Sequence, residues 1–333
     1  MNKKYNWITG IILGIIFLIA WLRIVNWQEF LSYFAVLDVF KLLPFSLFYV
    51  LAYVFRSCRW RVILKPIHKM RYSESFYLFM SGMLVNYIVP VRAGELLKSV
   101  LLKRRSNVRI SASLPSVFID KLTDLFPIVL ILLLTPLLSI KLNLTLKLVV
   151  LILFLFFLFF LGFLFFAINH REKAVSILNF FLRIIPGRFR ENLKIFFSNF
   201  VDGLSIMQGR YLDYIKVIIL TALAVISEAF YIYQVFTAFG SSSSFIYILF
   251  GYTLMNLTYI LPTPPAQIGS NQFMWVLIFA FALGINKDLT SAAVTFSHLL
   301  TSIWIFALGA ISLLALNIGF KELVPQNEIK DKT

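Results

Sequence analysis

The 333-residue chain contains one cysteine, Cys58, which excludes an intramolecular disulfide and any cysteine-based metal centre. Charge is scarce as well: Asp, Glu, Lys and Arg supply 14% of the residues, where an ordinary soluble domain holds about a quarter. No polar stretch is long enough to fold as a separate soluble domain. Acidic residues are the rarer part of that charge, 15 against 31 basic, and the net +16 raises the question of a nucleic-acid partner. The basic residues answer it, because they fall in blocks between apolar runs instead of along one soluble face, the pattern of cytoplasmic loops in membrane proteins. Nucleic acid is therefore excluded as a partner. Also missing are a Walker motif, a dinucleotide fingerprint, a Ser-His-Asp constellation and zinc-ligand spacing, so nothing calls for a cofactor.

What the chain has instead is apolar length. Hydrophobic residues make up 60% of it and the mean hydropathy is +0.87. A helix crosses the hydrocarbon core with about 20 residues, and six runs meet that need: Trp7 to Val25, Val39 to Cys58, Ser113 to Leu138, Lys147 to Ala167, Val217 to Phe239 and Thr290 to Leu316. The first is a span and not a signal peptide, since no small-residue cleavage site follows it and the next segment is again apolar. The basic blocks, Lys3 and Lys4, Arg56 to Arg71, Lys98 to Arg109 and Arg171 to Lys216, place both termini in the cytoplasm. Residues 1–320 read as a single membrane domain and 321–333 as a short polar tail. Phe180 to Arg210 mixes basic and aromatic residues and reads as a helix lying on the anionic leaflet.

Two further apolar segments do not behave as simple spans. Ser75 to Val89 enters from a basic loop, but Val91 to Leu102 gives only about 18 Å of helix at 1.5 Å per residue. If the first half crossed, Lys98, Lys103, Arg104, Arg105 and Arg109 would lie outside, against the charge rule. A re-entrant hairpin with its tip at Pro90 to Gly94 fits better. The second, Phe245 to Leu283, is apolar on both sides of LPTPPAQIGSNQ, and charge counting allows either a re-entrant pair or two full spans. An internal echo favours the re-entrant form: Pro90 to Gly94 and Pro265 to Gly269 share P-x-x-x-G, each downstream of an asparagine, Asn86 or Asn256. The expected fold is an all-α polytopic membrane protein, with about six full transmembrane helices and two re-entrant helical hairpins in an inverted repeat. Irregular backbone at membrane depth must line a cavity or be buried in protein, so the two tips predict a cavity.

The tip chemistry has two readings. The half-helix beginning after Gly94, with Arg92 beside it, offers free N–H groups and a positive dipole end to an anion such as a phosphate head group. Alternatively, Glu95 neutralises that end and pairs with Arg92 or Lys98. Asp120 and Asp124, four residues apart in FIDKLTDLF with Lys121 between them, share a helical face. They have no His or Cys partners for a metal, and ion pairing with Arg92, Lys98 or the basic loops is the favoured role. Glu228 lies within TALAVISEAFYIYQVF with no basic residue in its own span. A proton or cation site there and a hydrogen bond to a neighbouring Ser, Tyr or His298 both remain open.

The motifs RWRVIL (Arg59 to Leu64), NYIVPVRAGELLKSVLL, DKLTD and the late P-x-x-x-G hairpin together resemble the transmembrane, flippase-like domain of the lysylphosphatidylglycerol synthase family, over roughly Trp7 to Leu316. The likeness extends to the membrane half of the multiple peptide resistance factor. It implies a lipid-translocating fold in which Asn86, Pro90, Arg92, Gly94, Glu95 and Lys98 bind substrate at the first hairpin. It places Pro265, Gln267, Gly269 and Gln272 at the second, with Arg59, Arg61, Asp120, Lys121 and Asp124 as a supporting ion-pair set. Where that family often has P-G-G-x-G-x-x-E, this chain has Ala266 and Gln267 for glycines and Gln272 for the carboxylate. A neutral, amide-rich half-site argues against lysyl-lipid as cargo and suits hydroxyl-rich head groups. The soluble aminoacyl-transferring domain of the full synthases is not in this sequence, so that activity is not expected of it.

The leading expectation is a non-enzymatic flippase in the cytoplasmic membrane of a prokaryote, handling a lipid with an anionic or phosphate head group. A lipid-binding subunit working with a partner transferase, a membrane glycosyltransferase and a homo-oligomer are the alternatives.

Overall fold

The computed structural model describes residues 3–35, 37–89, 94–124, 169–182, 210–258 and 264–319, with scattered positions from 127 to 194. These residues are helical, with no strand among them. In chain order the helices are α1 (Lys3–Ile24), α2 (Trp27–Ala35), α3 (Val39–Leu64), α4 (Tyr72–Ile88), α5 (Gly94–Ser106), α6 (Ile110–Thr123) and α7 (Arg171–Leu182). Then come α8 (Tyr211–Ala238), α9 (Phe245–Thr258), a short 3-10 turn (Pro265–Gln267), α10 (Ser270–Trp275), a π-helical turn (Val276–Ala282) and α11 (Lys287–Ala315).

Helices α3, α8 and α11 are long and apolar enough to cross a membrane, and Gly14–Ile24 with Trp27–Ala35, bent by 84°, makes a fourth when taken as one span. They correspond to four of the six expected runs. The run from Ser113 begins in α6, but its remainder, like most of Lys147 to Ala167 and of Phe180 to Arg210, lies outside the described residues. The 84° elbow was not anticipated. Asn26 makes it: its side chain accepts the N–H groups of Gln28 and Glu29, and its own N–H donates to Asp288 at 2.7 Å. The elbow is thereby fixed to the start of α11, which Asn286 caps by accepting from Asp288 and Leu289 N–H.

The frame is the antiparallel pair α3 and α8, the most extensive helix contact. Tyr49 packs on Tyr231, Arg59 reaches Thr221 and Ile63 meets Val217, a register that runs down one helix as it climbs the other. Between membrane helices the drive comes from close packing and polar contacts, since lipid is as apolar as leucine.

The two irregular segments have identifiable causes. Val89 adopts an extended conformation (φ −99°, ψ 127°), as a residue before proline prefers, so α4 stops at Ile88 and the chain turns back into α5. The return is tight: a Cβ on Gly94 would sit 1.9 Å from the carbonyl oxygen of Gly82 in α4. In the second segment Ala266 (φ +52°), Gln267 (φ +55°) and Gly269 (φ +77°) take left-handed conformations. Gly269 also lets α1 pass, because a Cβ there would fall 2.7 Å from the backbone of Leu18.

Candidate functional site

The two irregular segments meet at one cavity of about 400 Å³, bounded by α3, α4, α5, α6, α8, α9, α10 and α11. Asn86 and Glu95 reach it from the first hairpin, Gln267 and Asn271 from the second. Lys121, Asp124 and Glu228 line it too, so six of the candidate site residues, with Asn86, Glu95 and Gln267, converge there. Its walls mix aromatic hydroxyls with amides, and Asn256 contributes a buried Nδ2 that has no hydrogen-bond partner among the described residues. Pro90 and Arg92 lie outside the described residues.

The wall at the first hairpin is built from a closed ring of six charges. Arg59 Nε meets Asp120 Oδ1 at 2.8 Å, and Asp120 Oδ2 meets Lys98 Nζ at 3.3 Å. Lys98 continues to Glu95 Oε2 at 2.8 Å, and Glu95 Oε1 to Lys121 Nζ at 2.9 Å. Lys121 reaches Asp124 Oδ2 at 3.1 Å, and Asp124 Oδ1 returns to Arg59 Nη2 at 2.8 Å. Every carboxylate oxygen serves a different contact and every cation touches two carboxylates, so the ring is neutral and joins α3, α5 and α6. Burial of such charges is tolerated only with this degree of pairing.

The ring decides how the tip of α5 is satisfied. Asn86 Oδ1 accepts the Gly94 N–H at 2.8 Å and its Nδ2 donates to Glu95 at 3.0 Å. Among the described residues, Asn86 and Glu95 thus stand at the start of α5, and Gly94 serves the close approach of α4. Lys98, expected among the substrate contacts, does not line the cavity. It is 2% exposed, paired in the ring and held over the Phe79 ring at 4.4 Å. Arg61, expected in the ion-pair set, turns away as well: its Nε donates to the Met70 carbonyl at 2.7 Å and its guanidinium stacks on Tyr72. The helix periodicity that brings Arg59 inward carries Arg61, two residues on, to another face.

The second hairpin is held by a chain of neutral groups. Gln272 Oε1 accepts from the Gly269 N–H at 3.0 Å, which turns its Nε2 toward His298 Nδ1 at 3.1 Å. The other ring nitrogen, Nε2, lies 2.8 Å from Tyr87 Oη. Tyr87 in turn bonds Ser302, whose hydroxyl donates to the His298 carbonyl. His298 thus links the second hairpin to α4 of the first. Pro265, Gly269 and Gln272 shape this segment without lining the cavity, and Gln267 alone of that set does.

Sequence reading missed Arg56. It falls in the block assigned to a cytoplasmic loop, yet α3 runs on to Leu64 and Arg56 faces the cavity. There its Nη1 lies 2.6 Å from Glu228 Oε2, an ion pair between α3 and α8, while Nη2 donates to Tyr252 Oη at 3.2 Å. The contact with Glu228 is close but not aligned as a hydrogen bond. The signal was the stripe Tyr49, Tyr53, Arg56, spaced four and three residues apart on one helical face.

Fold and site define a helical membrane protein with a cavity lined by charged, amide and aromatic side chains between two broken helical segments. The chain belongs to the lysylphosphatidylglycerol synthase TM region family, whose model matches residues 7–309. It is also similar to a UPF0104 membrane protein of Methanothermobacter thermautotrophicus, at 22% identity over 314 residues that cover 90% of this chain and 92% of the relative. No solved structure matches it. The resemblance drawn from the motifs is thereby confirmed at the level of the family, a membrane domain related to lipid handling.

Proposed function

We propose that the protein is a flippase or carrier that moves an anionic lipid or lipid-linked saccharide across the cytoplasmic membrane of a prokaryote, without enzymatic activity of its own. The observation that carries this reading is the shared cavity: residues of both irregular segments and of the α3–α8 frame face one polar space of about 400 Å³, within the size range of small-molecule sites. In this reading the two segments are re-entrant, related as an inverted repeat, and both termini are cytoplasmic. The head group occupies the cavity while the chains stay in lipid, and rocking of one repeat against the other exposes it to alternate sides. The amide and hydroxyl lining and the orphaned Asn256 donor favour a hydroxyl-bearing head group, because a buried donor without a partner is satisfied by a polar guest.

The test is lipid translocation in liposomes by the purified protein, with phosphatidylglycerol, its lysyl ester, polyprenyl phosphate and polyprenyl glycosides, and with Arg92→Ala alongside. Selective movement of one head-group class is the expected result. Failure to move any of them, by protein shown to be folded, removes the flippase reading in favour of a lipid-binding subunit that acts with a partner transferase.

A further inference from the structure

We propose that Arg56 is the anion receptor of the cavity, that Glu228 occupies it when no lipid is bound, and that a phosphodiester head group displaces Glu228 with uptake of one proton. The inference rests on the lipid-carrier reading and specifies where the phosphate binds.

Connectivity separates the two kinds of charge in the site. Each carboxylate of the ring holds two cations, so withdrawing Glu95, Asp120 or Asp124 breaks two contacts and opens a structure that spans three helices. Glu228 holds one cation among the described residues, Arg56. It is the carboxylate most readily exchanged. Arg56 is meanwhile prepared to keep its place without Glu228: its second nitrogen is bonded to Tyr252 of α9 and its guanidinium lies 5.1 Å from the centre of the Tyr53 ring. An arginine presents a fork of donors matched to phosphate oxygens.

Charge balance then requires a proton. The ring and the pair together hold four cations, Arg56, Arg59, Lys98 and Lys121, and four carboxylates, Glu95, Asp120, Asp124 and Glu228. A phosphodiester adds a fifth negative charge beside Arg56 and Glu228, whose side chains are largely buried. The groups facing Glu228 cannot absorb it. Tyr49 and Tyr53 of α3 and Tyr231 of α8 are neutral hydroxyls. Lys121 of α6 is already committed to Glu95 of α5 and Asp124 of α6. His298 of α11 has both ring nitrogens engaged, with Gln272 and Tyr87. A carboxylate released from its only cation at this depth is disfavoured as an ion, and protonation of Glu228 restores neutrality. The proton comes from water and forms the carboxylic acid, with no other bond changed.

The sign follows. One proton taken up with each phosphodiester makes binding strengthen as pH falls, by up to tenfold per unit. The experiment measures binding of short-chain phosphatidylglycerol, a phosphodiester that does not itself titrate between pH 5.5 and 8.5, to the full-length protein in detergent by calorimetry. The expected results are a pH slope in the native protein, a flat and tighter profile in Glu228→Gln, and loss of binding in both Arg56→Gln and the charge-free double variant Arg56→Gln/Glu228→Gln. The double variant leaves no unpaired charge behind, and its thermal midpoint shows that the loss is not unfolding. A flat native profile, a slope that persists in Glu228→Gln, or undiminished binding in the double variant would each overturn the assignment. Any of these accompanied by lipid movement in liposomes leaves the carrier reading standing, whereas absence of both binding and movement defeats the carrier reading itself.

Discussion

The two irregular segments face the same structural demand and meet it with different chemistry. Each breaks a helix, at Val89 in the first and from Ala266 to Gly269 in the second, and contacts within the protein hold the break. The first is secured by ions, with Asn86 and Glu95 at its tip tied through Lys98 and Lys121 into a ring that ends on Arg59. The second is secured by neutral groups, Gln272, His298 and Tyr87, and holds Ala266 and Gln267 in left-handed conformations. An ionic anchor is stiff because each member left alone is strongly disfavoured. A neutral anchor loses only ordinary hydrogen bonds when it opens. The difference identifies the second segment as the one that moves at lower cost, and the lone Arg56–Glu228 pair lies between the two.

Substitutions ordered by size break or sharpen that contrast. Asp120→Ala leaves Arg59 and Lys98 each one carboxylate short and should cost about 3–5 kcal/mol, seen as a collapse of monodisperse protein or a large drop in thermal midpoint in detergent. Gly94→Ala forces a methyl into the Gly82 carbonyl and should cost about 1–3 kcal/mol, the range for overpacking. A wild-type midpoint for that variant would mean that α4 and α5 are not in the close contact described. Gln272→Ala removes the partner of both the Gly269 N–H and His298, an effect of about 1–2 kcal/mol. If it destabilises as much as Asp120→Ala, the contrast between the two anchors fails. Ala266→Gly should do the reverse, raising stability by about 1 kcal/mol or less, since a left-handed alanine is strained and glycine is not. Hydrogen exchange at residues 264–272 would show whether the relief is local.

Several of these features were legible in the sequence. Pro90 marked the end of α4 because the residue before a proline leaves the helical region, and the four-residue spacing of Asp120 and Asp124 put both on the face that meets Arg59. Glu228 stood out as an ionisable residue within an apolar run. Charge counting does not resolve the C-terminal end of α3. It treats Arg56, Arg59 and Arg61 as one block, whereas the helix sends Arg56 to the cavity, Arg59 to the ring and Arg61 to a loop carbonyl. Sequence reading makes Lys98 both a substrate contact and an ion partner. It pairs with Glu95 and Asp120 and does not line the cavity, because proximity in sequence to a tip residue does not say on which side of a helix an ammonium emerges. The elbow at Asn26 depends on a long-range contact with Asp288 that no local pattern announces.

The ring has an electrical consequence. A transmembrane voltage does work of about 2.3 kcal/mol on each elementary charge moved through 100 mV, so a helix carrying an unbalanced charge would feel the membrane potential whenever it shifted. Six charges closed on themselves cancel. If these six side chains shift as one body, the field does no net work on the ring, and a voltage acts only on the charges outside it.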